Sequence, residues 1–117
     1  MTTEPILITG VGKRLGQYLA NNFLDRGISV IGTYRNETES LLQLKKKDAT
    51  LLKCDLYNDA DIESLIENVT RNFGGIRAII HNASDWLSDS AELGSSKIIK
   101  RMMQVHVNSP YLLNFGL

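Results

Sequence analysis

One cysteine, Cys54, is all the chain holds, so no intrachain disulfide framework can staple the fold. Set in an apolar run, it is expected to behave as a small core residue. An excess of either charge is missing too: 13 Lys and Arg are matched by 13 Asp and Glu. No global field is therefore available to hold nucleic acid or an anionic membrane. No apolar run approaches the ~18 residues needed to cross a bilayer. Nor do the first residues read as a charged leader followed by an apolar signal region, which makes the cytoplasm the expected location. The two histidines, His81 and His106, have no ligand partners nearby in sequence, so both are expected to be structural and no metal site is expected. Repeats, low-complexity segments and linkers are also lacking. What remains is ordinary globular material: 117 residues, 43% of them hydrophobic, enough for one domain with a real core.

Strand-like and helix-like segments alternate through the chain. The runs ILIT (6–9), SVIGTY (29–34), TLLKC (50–54) and IRAIIHN (76–82) are largely apolar, as in strands covered on both faces of a parallel sheet. Leu15, Leu19 and Phe23 recur at helical spacing ahead of Gly27. Ile62, Leu65, Ile66, Val69 and Phe73 do so ahead of Gly74 and Gly75. Each set marks the apolar face of a helix that glycine ends. Residues 37–47 predict a further helix, with Lys45, Lys46 and Lys47 as a solvated face favoured at the negative end of its dipole. A longer helix is predicted over much of 90–116, kinked by Pro110. The alternation predicts a Rossmann-like, doubly wound parallel sheet with helices on both faces and right-handed crossovers. In the strand order 3-2-1-4, the run 76–82 falls at an edge although its composition is that of an interior strand. A bare apolar edge invites pairing with another chain. Residues 1–117 are accordingly expected to be the first half of a larger single domain.

Gly10, Gly12 and Gly16 form G-x-G-x-x-x-G between the first strand and the first helix. Glycines there let the turn tighten and let backbone N–H groups approach a pyrophosphate at the positive helix terminus. The flanking strand and helix supply the context that such a motif needs. A P-loop is excluded, because Arg14 follows Lys13 where Ser or Thr is required. NAD-binding folds place an acid on the ribose about 20 residues beyond the loop. Here the second strand ends in Tyr34 and Arg35, and an arginine can pair bidentately with a 2′-phosphate. NADPH is therefore the expected cofactor. Glu37 is a competing acid, and a solvated loop residue is the alternative reading of Arg35. Lys13, Leu15 and Tyr34 join the expected cofactor contacts. Arg14 adds positive charge beside the diphosphate or reaches toward an anionic or amide-rich substrate.

TGVGKRLG (9–16) resembles the cofactor loop of short-chain dehydrogenases/reductases, whose common form is T-G-x-x-x-G-x-G. With Arg14 it is similar to the T-G-x-x-x-R-[LI]-G version found in pteridine reductases and bacterial dihydromonapterin reductases. HNAS (81–84) is similar to the family's N-N-A-G element, implying that Asn82 stabilises the sheet and that Ala83 and Ser84 lie along the cofactor ribose. Asp55 and Leu56 match the family's adenine-binding position; a turn or helix-capping aspartate is the alternative. The resemblance implies that Trp86 stacks on a pterin ring, with Arg14 and Ser84 facing the same substrate. A tryptophan covering core or an oligomer contact is the alternative. MMQVHVNSPYLL (102–113) resembles the helix that carries the family's catalytic asparagine, implying for Asn108 a water-holding role in a proton relay. The alternative is a helix-interior asparagine bonded to backbone.

The chain departs from the family pattern in one respect. The catalytic Ser and Tyr-x-x-x-Lys have no counterpart here: Phe115 stands where lysine would follow Tyr111. The resemblance implies an NADPH-dependent reductase of a dihydropterin, dihydromonapterin first and dihydrofolate second, acting as a dimeric or tetrameric homo-oligomer. Residues 1–117 would be its NADP-binding half. A reductase of another carbonyl substrate (an oxoacyl chain or a sugar) and a truncated, non-catalytic dinucleotide-binding protein are the alternatives.

Overall fold

The computed structural model describes residues 4–84 and 94–117. The chain runs β1 (Ile6–Ile8), α1 (Arg14–Asp25), β2 (Val30–Tyr34), α2 (Glu39–Lys46), β3 (Thr50–Lys53), α3 (Asp59–Phe73) and β4 (Ala78–Ile80). There follow α4 (Ser95–Met103), a π-helical segment (Gln104–Asn108) and α5 (Ser109–Gly116). The strands form one parallel sheet in the order β3-β2-β1-β4, with Leu7 in register with Ile31 on one side and Ile79 on the other. It is a Rossmann-like sheet, and each strand is shorter than the apolar run that announced it.

The pleat sorts the core into two layers. Ile6 and Ile8 pack with Val30, Ala20, Leu41 and Leu44, so α1 and α2 cover one face. Leu7 and Ile31 pack with Ile62, Leu65, Val69 and Leu113, so α3 and α5 cover the other. Both faces of β1 and β2 are thereby dry, which explains why their apolar runs do not alternate. β4 pairs only with β1 in the described sheet. Its Ala78 is exposed and its two isoleucines are half-buried, so the interior-like sequence does occupy an edge.

Local chemistry sets the helix ends. The Asn58 side chain accepts hydrogen bonds from the N–H groups of Ala60 and Asp61, and Gly74 closes α3 at φ 69°. That left-handed turn is one in which a glycine carries no Cβ penalty. Lys45, Lys46 and Lys47 are exposed at the end of α2, a solvated face as expected.

Two expectations need correction. Leu15 does not belong to the core face of α1: it is 59% exposed, and the buried positions are Gly16 and Ala20. The helix approaches the β1 loop so closely at Gly16 that the smallest residues, not the leucine, define its inner face. The long C-terminal helix is also not a simple kinked α-helix. Pro110 has no N–H to give the His106 carbonyl and its ring crowds that carbonyl. The helix widens just before it, with the Ser109 N–H bonding the Gln104 carbonyl five residues back.

Candidate functional site

The strand order reverses between β1 and β4, and in open α/β sheets ligands bind at the carboxyl ends of the strands flanking such a reversal. The β1–α1 loop and residues 81–84 meet there. Gly10 has φ +74°, and a Cβ on it would lie 3.0 Å from the Ala83 Cα. A Cβ on Gly16 would sit 1.9 Å from the Gly10 carbonyl oxygen and 2.5 Å from Asn82 Nδ2. Both glycines are demanded by protein packing. Gly12 is not: a Cβ there would meet nothing closer than 3.7 Å.

The loop is tied on both sides. The N–H groups of Gly10 and Val11 donate to the Thr33 carbonyl at 3.1 and 2.9 Å. Asn82 Nδ2 donates to the carbonyls of Thr9 (3.1 Å) and Gly10 (2.9 Å), while the Ala83 N–H donates to Thr9 Oγ1 at 3.0 Å. These bonds lock the end of β4 to the end of β1. Arg14, the first residue of α1, is held at φ 56°, in the left-handed region that suits glycine. A non-glycine residue there costs about 1–2 kcal/mol.

Above the strand ends lies a cleft of about 420 Å³. Gly10, Gly12, Lys13, Arg14 and Leu15 line it from the loop, and Tyr34 and Arg35 from the end of β2. Asp55 and Leu56 line it from the β3–α3 connection, and Asn82, Ala83 and Ser84 from the end of β4. Of the expected cofactor residues only Gly16 stands behind the wall, as a packing residue. Asp55 also makes the turn of its alternative reading: its Oδ1 accepts from the Tyr57 N–H at 3.0 Å, and its own N–H donates to Asp61 Oδ2 at 2.9 Å.

Several lining residues were not read from the sequence. Tyr57 places its ring 5.8 Å from the Arg35 guanidinium and 4.4 Å from that of Arg101 on α4, within cation–π range. Thr38 lines the cleft and bonds the Gly12 carbonyl at 2.7 Å. A hydroxyl residue just before a helix was visible in the sequence, but its distant partner was not. Cys54 lines the floor and is buried. Burial, reinforced by Asp61 and Asp55, pushes its thiol up to about 12, so it is protonated and unreactive, as a core cysteine should be.

Asn108 does not line the cleft. Its Nδ2 donates to Gln104 Oε1 at 3.1 Å, and Gln104 Nε2 donates to the Leu56 carbonyl (3.1 Å) and Asp59 Oδ1 (2.8 Å). Asn108 thus bonds a side chain, not backbone, and is linked through it to the Leu56 corner. His81 Nε2 lies 2.8 Å from Asn114 Oδ1 on α5, a tie between sheet and helix. Trp86 lies outside the described residues.

A family model for short chain dehydrogenases matches residues 4–114. The chain belongs to that family. Among curated short-chain relatives, dihydromonapterin reductase of Klebsiella pneumoniae is 44% identical over 114 residues, and that of an Enterobacter species 45% identical. Each alignment covers 97% of this chain and 48% of the relative, so the chain spans about half the length of the curated relatives it matches. A short-chain dehydrogenase from Streptomyces avermitilis superposes with a TM-score of 0.85 at 23% identity, over 98% of this chain and 43% of that one. A metagenomic short-chain oxidoreductase in complex with NADP superposes at 0.81 and 21% identity, over 97% and 54%. These two likenesses show the fold.

The residues lining the cleft fit a nicotinamide dinucleotide, the group that the family implies. Gly12 leaves open the space that a Cβ would fill. The first N–H groups of α1, without acceptors inside their own helix, stand at its positive end. Arg14 and Arg35 put cationic side chains on two walls of the same cleft.

Proposed function

We propose that the intact protein reduces a dihydropterin with NADPH, and that residues 1–117 form the cofactor half of its site. The observation that carries the reading is Arg14, held at a backbone angle that favours glycine and lining the cleft. A strained cation persists where its charge serves a ligand better than glycine would. The bound cofactor would supply hydride to a carbon–nitrogen double bond of the pterin, and the ring nitrogen then takes a proton. Lys13, Arg14 and the loop amides would hold the diphosphate. Arg35 would take the 2′-phosphate, and Asp55 with Leu56 the adenine. Ala83 and Ser84 would follow the ribose. Arg14, Ser84 and Trp86 would face the pterin, and Asn108 would hold a water of the proton relay. The proton donor itself, a Tyr paired with Lys in this family, would come from outside these residues. No helix among the described residues is long and apolar enough to cross a membrane; a cytoplasmic location is part of the proposal. A homo-oligomer is supported by the stripe of exposed Ile99, Met103, Val107, Tyr111 and Phe115, which recurs at every fourth residue along one helical run.

The test is a substrate panel with the intact protein and NADPH: dihydromonapterin, dihydrofolate, an oxoacyl thioester and a sugar ketone. Turnover of dihydromonapterin above the others is expected. Turnover confined to the oxoacyl or sugar substrate overturns the pterin assignment while leaving the cofactor assignment standing.

A further inference from the structure

We infer that Thr38 and Ser40 are positioning residues for the dinucleotide diphosphate, acting through the Gly12 carbonyl; the inference rests on the dinucleotide reading above. Thr38 is the N-cap of α2, with extended backbone, yet its side chain makes no capping bond. A threonine there ordinarily accepts a hydrogen bond from an N–H of its own first turn. Instead Oγ1 donates to the Gly12 carbonyl at 2.7 Å, across 26 residues of sequence. Ser40 Oγ bonds the same carbonyl, and the two hydroxyl oxygens lie 2.9 Å apart. Each hydroxyl has one proton, so either both protons reach the carbonyl or one hydroxyl donates to the other, which donates onward. In both cases the carbonyl is held from α2.

The consequence follows from peptide geometry. The Gly12–Lys13 bond is trans, so its C=O and N–H point in opposite directions within one plane. Fixing the carbonyl toward α2 turns the Lys13 N–H away from α2, at the positive end of α1. Gly12 and Lys13 both line the cleft. The clamp therefore presets a donor for an anionic oxygen before any ligand arrives, and the helix forgoes its local cap for it. Neither hydroxyl needs to touch the ligand.

The experiment measures dissociation constants of NADPH, ADP-ribose and adenosine 2′-monophosphate for the intact protein and for Thr38→Val/Ser40→Ala. The first two ligands carry a diphosphate and the third does not. The double variant should weaken NADPH and ADP-ribose by roughly 10-fold and leave adenosine 2′-monophosphate within about twofold. Thr38→Ser, which keeps the hydroxyl, should bind all three as the wild type does. The single variants Thr38→Val and Ser40→Ala, each keeping one hydroxyl on Gly12, carry the same comparison if the double variant does not fold. Equal losses for all three ligands, or no loss for any, overturn the inference. A wild-type protein that binds none of the three overturns the dinucleotide reading, and the clamp with it.

Discussion

Gly10, Gly12 and Gly16 look alike in the sequence, and the structure divides them. Gly16→Ala would drive a methyl group into the Gly10 carbonyl, backbone that cannot swing aside. It should destabilise the protein by about 3 kcal/mol or more, read by chemical denaturation. Gly12→Ala has ordinary contacts and should leave stability within about 0.5 kcal/mol while weakening dinucleotide binding. Arg14 makes the opposite trade. Arg14→Gly should relieve the left-handed strain, partly offset by the unfolded-state entropy of glycine, for a net gain of up to about 1 kcal/mol, and lose dinucleotide affinity. A stability gain without a binding loss would mean that the arginine serves nothing in the cleft. The motif located the loop, but spacing alone could not say which glycine answers to protein and which to ligand.

Cys54 offers a pH test at the same scale. Its folded thiol is raised from 9.0 to about 12, so the folded state keeps a proton that the unfolded chain gives up first. Its contribution is fully present below pH 9 and declines as pH rises from there toward 12. One unit above the unfolded value the loss is on the order of 1 kcal/mol. Denaturation at pH 8 and pH 10 should show this decline in the wild type, and it should be smaller in Cys54→Ala.

Among the elements, the strands, α1 and α3 were legible because apolar runs, helical periods and closing glycines are local signals. Two elements departed from those signals. Leu15 fits the helical period of α1, but the contact at Gly16 rotates the inner face away from it. Pro110 announced an irregular helix, whereas the π segment depends on tertiary partners that no local pattern contains. The one hydroxyl proton of buried Ser109 is shared between two carbonyls, with Oγ 2.7 Å from that of Leu56 and 2.8 Å from that of Gln104. Ser109→Ala leaves the wider turn without that tie and should cost about 1–3 kcal/mol, measured by urea denaturation. A neutral substitution would mean that the proline alone sets the π geometry.

For the whole molecule, fold and family were readable because the strand–helix alternation and the motifs around Gly10, Asp55, Asn82 and Asn108 are each contiguous in the sequence. The Thr38–Ser40 clamp and the Arg35–Tyr57–Arg101 cluster were not, since each joins residues that only the folded chain brings together. Residues 1–117 hold no Tyr-x-x-x-Lys, and general acid catalysis contributes about 10²–10⁴-fold. This segment expressed alone should therefore show no NADPH-dependent pterin reduction. Its edge strand β4 and the stripe from Ile99 to Phe115 should make it associate in sedimentation. An active monomer would contradict both expectations.

In the proposed reaction the cleft holds NADPH through Arg35, a cation at the end of β2. The most direct measurement is the titration of wild type and Arg35→Ala with NADPH and NADH. Loss of a bidentate, charge-assisted contact should weaken NADPH roughly 10- to 100-fold and barely change NADH. Equal affinities in the wild type, or equal losses for both cofactors, would rule out a 2′-phosphate contact at Arg35.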